Sequence, residues 1–186
     1  MQTTPGTTLE ARDTAIAISF WKQKAEDFGK PPPIAEFSLV DFVGQSFRFL
    51  ILADLLVSDA SVFLAYGAGF AKLFGLPERP SMCLPMIECI SDRYRFLFVE
   101  GCLEAITEAA PIRFSGEVAG FGGSELYRAC FMPLKMGIDT MQAVYGSFNF
   151  DVRLAAELSE RSKAADRANS VSATWAEPPM SAVKTG

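Results

Sequence analysis

Residues Ala53 to Gly75 read ADLLVSDASVFLAYGAGFAKLFG, and this stretch decides the fold. It begins inside a predicted strand over Phe47 to Val57, and after a short polar turn Ser61 to Tyr66 predict a second strand. Both faces of the first strand are apolar, which is typical of a strand that is central or covered on both sides. Residues 67–74 then predict a brief helix that Gly75 ends.

Outside this stretch the chain alternates between helical and extended patterns. Residues 10–30 predict an N-terminal flanking helix, and Arg93 to Ala109 predict the longest internal helix. The apolar stripe of the internal helix consists of Phe96, Val99, Leu103 and Ile106, with Cys102 beside it. Three strands follow, the first from Ile112 and the others over Glu125 to Lys135 and Thr140 to Phe150. This order predicts an α+β domain whose helices gather on one face of an antiparallel sheet.

The strand that begins at Ile112 alternates cleanly between apolar and polar side chains. Ile112, Phe114 and Val118 belong to one face, and Arg113, Ser115 and Glu117 belong to the other. This pattern predicts a strand with one face towards the core and one towards solvent.

The composition of the two ends sets the domain boundaries. We expect residues 1–9 and 169–186 to be disordered, since they are polar or rich in serine, alanine and proline. A C-terminal helix is predicted over 152–168, which leaves residues 34–151 as the domain itself. We expect no output domain after it, so any signal must pass in trans to a separate signalling protein.

The sequence contains no histidine in 186 residues. This excludes Ser-His-Asp and Cys-His mechanisms and removes the commonest metal ligand. The formal net charge is −5 and no long basic run is present, so a nucleic-acid partner is not expected. The four cysteines form no C-x-x-C pair, which predicts free thiols in a cytoplasmic protein. Without a signal peptide or a membrane-length apolar run, we expect no membrane partner.

Two runs together resemble a PAS domain. The first is the quoted stretch, and the second is LYRACFMPLKMGIDTMQAVYGSFNF over 126–150. The second run is similar to the last two PAS strands, with matching positions at Tyr127, Arg128, Pro133, Leu134, Gly137 and Gly146. The N-terminal helix with its aromatic pair Phe20-Trp21 resembles the one found in a bacterial subfamily of short PAS proteins. The resemblance covers roughly residues 14–152.

The resemblance implies a five-stranded antiparallel sheet in the order 2-1-5-4-3, with helices clasping one face. It also implies a sensory or regulatory module that works without catalysis. The light-oxygen-voltage branch needs a cysteine in an Asn-Cys-Arg-Phe context, and neither Cys83 nor Cys89 has one. The common haem-binding branches use histidine. We therefore expect neither a flavin photoreceptor nor a His-ligated haem, and predict no bound cofactor and no metal.

If the fold is PAS-like, a small apolar ligand is expected between the long helix and the inner face of the sheet. The candidate pocket residues are Phe63, Tyr66, Phe96, Leu103, Phe114, Cys130, Met132 and Tyr145. The alternative is that these side chains simply fill the core. A cavity of roughly 300 Å³ or more, with a few polar groups converging on it, distinguishes the two.

A small cone-shaped α+β enzyme of the ketosteroid-isomerase type is the alternative function. Burial raises the pKa of a carboxyl group and can turn it into a general base. The candidate base is Asp54, which lies inside an apolar strand, with Tyr66 or Tyr145 as hydrogen-bond donors. Because the sequence shows no nucleophile–base pair and opens its sheet early, we predict no catalytic residues.

The N-terminal helix is amphipathic and must bury its apolar stripe. A homodimer contact through Ile16, Phe20, Trp21 and Phe28 is one prediction, and packing within the chain is the other.

Overall fold

The computed structural model describes residues 9–37, 47–54, 60–78, 83–120, 123–137 and 141–154. In chain order its elements are α1 Leu9–Phe28, β1 Arg48–Asp54, β2 Val62–Tyr66, α2 Ala68–Phe74, β3 Leu84–Pro85, α3 Met86–Cys89, α4 Asp92–Glu108, β4 Ile112–Gly120, β5 Gly123–Leu134 and β6 Met141–Leu154. A short 3-10 turn over Ile34–Glu36 follows α1. The predicted α+β class is confirmed.

The strands form one antiparallel sheet in the order β3-β2-β1-β6-β5-β4. The predicted five-strand order 2-1-5-4-3 is wrong by one strand. Leu84 and Pro85 pair with Phe63 and Val62 and add a two-residue strand outside β2. Strands β1, β6 and β5 lie in the middle and bury side chains on both faces of the sheet.

The start of the predicted C-terminal helix is wrong. β6 continues to Leu154, where it pairs with Gly123, so residues 152–154 are extended and not helical. The cause is the length of β5, because residues 123–126 offer a ladder that keeps the chain extended. The rest of the expected helix, the tail over 169–186 and residues 1–8 lie outside the described residues. Leu9, assigned to a disordered end, already belongs to α1.

One face of the sheet, here called the α4 face, is covered by α2, α3 and α4. Its core is dominated by six phenylalanines that are fully buried: Phe49, Phe63, Phe70, Phe98, Phe131 and Phe148. The Phe98 ring lies 5.2 Å from the Phe49 ring and 5.3 Å from the Phe148 ring, in tilted arrangements that aromatic pairs favour. Gly146 makes room for this packing, since a Cβ there would overlap the Phe49 ring.

The opposite face, here called the α1 face, is covered by α1. The helix buries Ala17, Ile18, Trp21 and Ala25 against side chains of β1, β5 and β6. The chain after α1 is also fixed to the sheet, because Lys135 donates its N–H to the Pro32 carbonyl and accepts the Ile34 N–H at its own carbonyl. The second prediction for the N-terminal helix, packing within the chain, therefore holds for these four buried residues.

The predicted inner face of the long helix is wrong at Phe96 and Leu103, whereas Val99 and Ile106 pack against the core as expected and Cys102 is buried in it. α4 turns Tyr94, Phe98, Cys102 and Ala105 towards the core, while Phe96 is 75% exposed and Leu103 is 44% exposed. The small residue Gly101 explains this orientation, because a Cβ there would overlap the Phe131 ring. The helix therefore approaches the sheet most closely along its Gly101 side.

Candidate functional site

The centre of the space between α4 and the sheet, where a ligand was expected, is filled by side chains. Phe63 and Tyr66 do lie there and are buried. The Phe63 ring contacts that of Phe70 at 5.4 Å, and the Tyr66 ring lies 6.0 Å from Phe70. Their placement agrees with the alternative that these residues pack the core.

Three of the candidate pocket residues lie on the other side of the sheet. Cys130, Met132 and Tyr145 belong to the core under α1. The prediction is wrong by one residue along each strand, since successive side chains of a strand point to opposite faces of the sheet. Phe131 and Val144, one position away, are the residues that face α4.

The remaining three candidates lie at the surface edge of the α4 face. Phe96 and Phe114 contribute to a groove between α4 and β4 of about 210 Å³, here called the α4 groove. The residues that line it are Arg93, Tyr94, Phe96, Leu97, Glu100, Phe114, Val118 and Tyr127. Leu103 instead lines a separate cavity of about 70 Å³ beside Asp54 and Cys102. The eight predicted residues therefore do not form one site.

A buried carboxylate is bonded to two of the residues that line the α4 groove, Arg93 and Tyr94, and the sequence did not reveal it. Glu125 is 6% exposed, and Arg93 donates to its Oε1 at 2.8 Å while the Tyr94 hydroxyl donates to its Oε2 at 2.7 Å. Burial, followed by the hydrogen bond to Glu125, raises the pKa of Tyr94 well above its ordinary value. Both carboxylate oxygens are satisfied, so this cluster fastens the start of α4 to β5.

A second cavity of about 290 Å³ lies on the other side of Arg93 and Tyr94. Its lining comes from α2, α3, the start of α4 and β6: Leu73, Phe74, Glu88, Cys89, Ile90, Ser91, Arg93 and Phe150. Tyr94 separates it from the α4 groove by stacking on Phe150 at 5.7 Å. Two cavities, each bordered by Arg93, therefore flank the start of α4.

Polar contacts fix α1 at two points on the opposite face. The Trp21 indole, 2% exposed, donates from Nε1 to the Pro133 carbonyl at 2.8 Å. Nearer the start of the helix, the Ser147 hydroxyl donates to Asp13 Oδ2 at 2.7 Å, and Arg48 Nε lies 3.7 Å from Asp13 Oδ1. These contacts join α1 to β1, β5 and β6.

The residues predicted for a dimer contact separate into two groups. Trp21 is buried within its own chain, and the Phe20 ring contacts Phe37 at 5.4 Å and Tyr145 at 6.1 Å. Trp21 therefore cannot serve as a contact with a second copy while α1 stays on the sheet. Ile16 and Phe28 are exposed. Their role in an interface stays a prediction.

The side chains of the enzyme alternative are far apart. Asp54 ends β1, whereas Tyr66 pairs with Phe49, five residues back along the strand. At about 3.4 Å per residue this is roughly 17 Å. Tyr145 pairs with Leu50 and belongs to the α1 face. The structure thus does not bring the proposed base and its donors together.

Burial controls the chemistry of three of the four thiols. It raises the pKa of Cys102 and of Cys130 from 9.0 to about 12, and it also raises that of Cys89. A thiol with a raised pKa is a poor nucleophile and a poor metal ligand at neutral pH.

Within the described residues, Cys, Asp and Glu form no cluster of three or more that could hold a metal ion. None of the described helices is long and apolar enough to cross a membrane.

Comparison with known proteins assigns this chain to no family. No family model matches this sequence, and no curated protein matches it. One solved structure to which the chain is similar is described as an RNA-binding light-oxygen-voltage receptor. The TM-score is 0.39 at 13% identity, and the match covers 66% of this chain. The chain spans 36% of the length of that receptor.

Proposed function

We propose that this chain is a cytoplasmic sensory or regulatory module with a PAS-like fold that acts without catalysis. A small apolar ligand or an apolar side chain of a partner protein binds at the α4 face. The resulting change passes through the sheet to α1, and from there to another protein.

The observation that carries this proposal is that β5 and β6 each contact helices on both faces of the sheet. Phe131 packs under α4, while Met132 and the carbonyl of Pro133, the next two residues, contact α1. Ser147 anchors Asp13 on the α1 face, and its neighbour Phe148 packs against Phe98. A shift of either strand under α4 must therefore move an anchor of α1.

The α4 groove is the entry that suits a small apolar group. Its volume of about 210 Å³ is below that of drug-sized pockets, and its walls are largely aromatic and aliphatic. A single aromatic ring is the size of ligand that these walls accommodate. The neighbouring carboxylate of Glu125 is already paired with Arg93 and Tyr94, so it leaves no uncompensated charge beside the groove.

The test uses toluene as a ring-sized apolar probe and the fluorescence of Trp21 as the signal. Trp175 is replaced by phenylalanine so that Trp21 is the only tryptophan. We expect toluene to raise the melting temperature and to change the Trp21 emission. Val118→Phe fills the groove and should abolish both effects. Ala119→Phe, which adds the same ring at an exposed neighbouring position, should preserve them.

Three results would contradict the proposal: no thermal shift with toluene, an equal shift in the Val118→Phe variant, or binding that leaves the Trp21 emission unchanged.

A further inference from the structure

Strand β4 forms one edge of the sheet with one side unpaired. Its nine residues pair with β5 in an unbroken register from Ile112 with Phe131 to Gly120 with Gly123. No other strand in the described part of the chain pairs with it. A long, regular edge strand presents a row of free N–H and C=O groups to another chain.

The other edge of the sheet is built differently. β3 has only two residues, Leu84 and Pro85, and a proline has no N–H to donate to a neighbouring strand. Short edge strands and edge prolines are devices by which proteins prevent edge-to-edge pairing. β4 contains neither a proline nor a lysine. The capacity to pair with another chain is therefore concentrated at β4.

The sequence of β4 is complementary to itself when two copies run antiparallel about Ser115. In this register Ser115 lies opposite Ser115 of the second copy. A residue a given number of positions after Ser115 then lies opposite the residue the same number of positions before Ser115 in the second copy. Arg113 then lies opposite Glu117 of the second copy, and Ile112 lies opposite Val118 of the second copy. Two-fold symmetry repeats each pair. Opposite charges and apolar pairs placed directly across strands stabilise a sheet.

The burial of these side chains agrees with this register. Arg113, Ser115 and Glu117 are exposed and lie on the α1 face, because Arg113 pairs with Cys130 of that face. Ile112, Phe114 and Val118 are half-buried on the α4 face. Neither Arg113 nor Glu117 has an ion-pair partner within the described residues of its own chain. A second copy would therefore pair two free charges and cover a half-exposed apolar edge.

Neighbouring registers lose these pairs. A two-fold axis at Gly116 places Arg113 opposite Ala119 and Glu117 opposite Ser115. An axis at Arg113 or at Glu117 places two like charges directly opposite each other, which destabilises the pairing. The charges of β4 thus select the axis at Ser115.

We propose that two copies of this chain associate by antiparallel pairing of their β4 strands about Ser115, forming one continuous sheet. Pairing one strand buries a small area, so the dimer forms at micromolar concentrations or above. The contact leaves α1 on its own sheet and uses no residue of that helix.

Charge exchange tests the register. Sedimentation velocity of the full chain should show a species of twice the 20.3 kDa chain mass. Arg113→Glu alone or Glu117→Arg alone places like charges opposite each other and should weaken the dimer roughly tenfold or more. The double exchange Arg113→Glu/Glu117→Arg should restore it. Glu104→Arg makes the same charge change as Glu117→Arg, but on the exposed side of α4, and should have no effect.

Crosslinking tests the position of the axis. Residues directly opposite in an antiparallel pair have Cα atoms about 4.5–5.5 Å apart, within reach of a disulfide. In a Cys83→Ser background, Ser115→Cys should form a covalent dimer under mild oxidation. Ala119→Cys places a thiol on the same exposed face but far from position 119 of the second copy, so it should not form a covalent dimer.

Sedimentation as a monomer at several hundred micromolar would overturn the proposal. A dimer that withstands the single charge reversals would also overturn it, because the contact would then use another surface such as Ile16 and Phe28 on α1. Equal crosslinking at both cysteine positions would reject the axis at Ser115.

Discussion

The two faces of the sheet are covered by helices in different ways. On the α4 face, six buried phenylalanines interlock between α2, α4 and the strands. On the α1 face, a single helix packs with small side chains such as Ala17 and Ala25 and is anchored by Trp21, Asp13 and their partners. Disrupting one face should unfold the domain, whereas disrupting the other should release one helix. The α4 face therefore secures the fold, and the α1 face suits a reversible contact.

The largest effect should follow from truncation of the ring at the centre of the α4 face. Phe98 is fully buried and contacts the rings of Phe49, Phe131 and Phe148. Phe98→Ala should lower the free energy of unfolding by about 3–5 kcal/mol, because it removes buried contacts and leaves a cavity. Urea denaturation measures this loss. A loss below about 1 kcal/mol would show that the ring cluster does not secure the fold.

A smaller and more local effect is expected from Trp21 on the α1 face. Trp21→Phe keeps an aromatic ring but leaves the buried Pro133 carbonyl without its donor, at a cost of about 1–3 kcal/mol. We expect the cost to appear as weaker docking of α1, detected as faster proteolysis within residues 13–28. Equal loss of protection in α4 and β6 would contradict a local effect.

Alkaline pH should weaken both faces through their buried thiols. Cys102 lies on the α4 face and Cys130 on the α1 face, and burial raises the pKa of each from 9.0 to about 12. The unfolded chain loses these protons first, so stability is intact below pH 9 and falls between pH 9 and 12. At pH 10 the loss is about 1 kcal/mol per thiol.

Replacing each thiol by alanine separates the two contributions to the pH dependence. Cys102→Ala and Cys130→Ala should each make the decline of unfolding free energy with pH less steep. Unchanged pH dependence in both variants would mean that other groups cause the decline.

The smallest effect is expected at the second anchor of α1. Ser147→Ala removes the hydroxyl that donates to Asp13 and should cost about 0.5–1.5 kcal/mol. Thr107→Ala is the matched control, since it removes an exposed hydroxyl bond to Leu103 on the solvent side of α4. Thermal denaturation should show a lower melting temperature for the first variant and little change for the second. Equal shifts would mean that the Asp13 contact contributes nothing specific.

Much of the fold follows from patterns in the sequence. The strands around Ala53, the alternation after Ile112 and the helix that Gly75 ends all have strong local signals, and the structure confirms these elements. The short strand at Leu84–Pro85 has no such signal, because two residues carry no periodicity and proline argues against a strand. Extension of β6 beyond Phe150 depends on the partner strand β5, which local sequence cannot show.

The candidate site was harder to predict than the fold. Cys130 and Met132 were assigned to the wrong face because the predicted alternation was one residue out of step. The residue between them, Phe131, is the one that faces α4. For α4, two apolar stripes compete, and Gly101 decides between them through its contact with the Phe131 ring. The pairing of Glu125 with Arg93 joins residues 32 positions apart, so no local pattern reveals it.

Native-state hydrogen exchange of the full chain tests the difference between the two faces most directly. We expect the amides of Ala17 to Ala25 in α1 to exchange through a local opening of lower free energy than the one that exposes α4 and β6. Trp21→Phe should lower the opening free energy of α1 further and leave that of α4 and β6 nearly unchanged. If α1, α4 and β6 open with one common free energy in both proteins, α1 is a fixed part of the core and the proposed transmission through it is wrong.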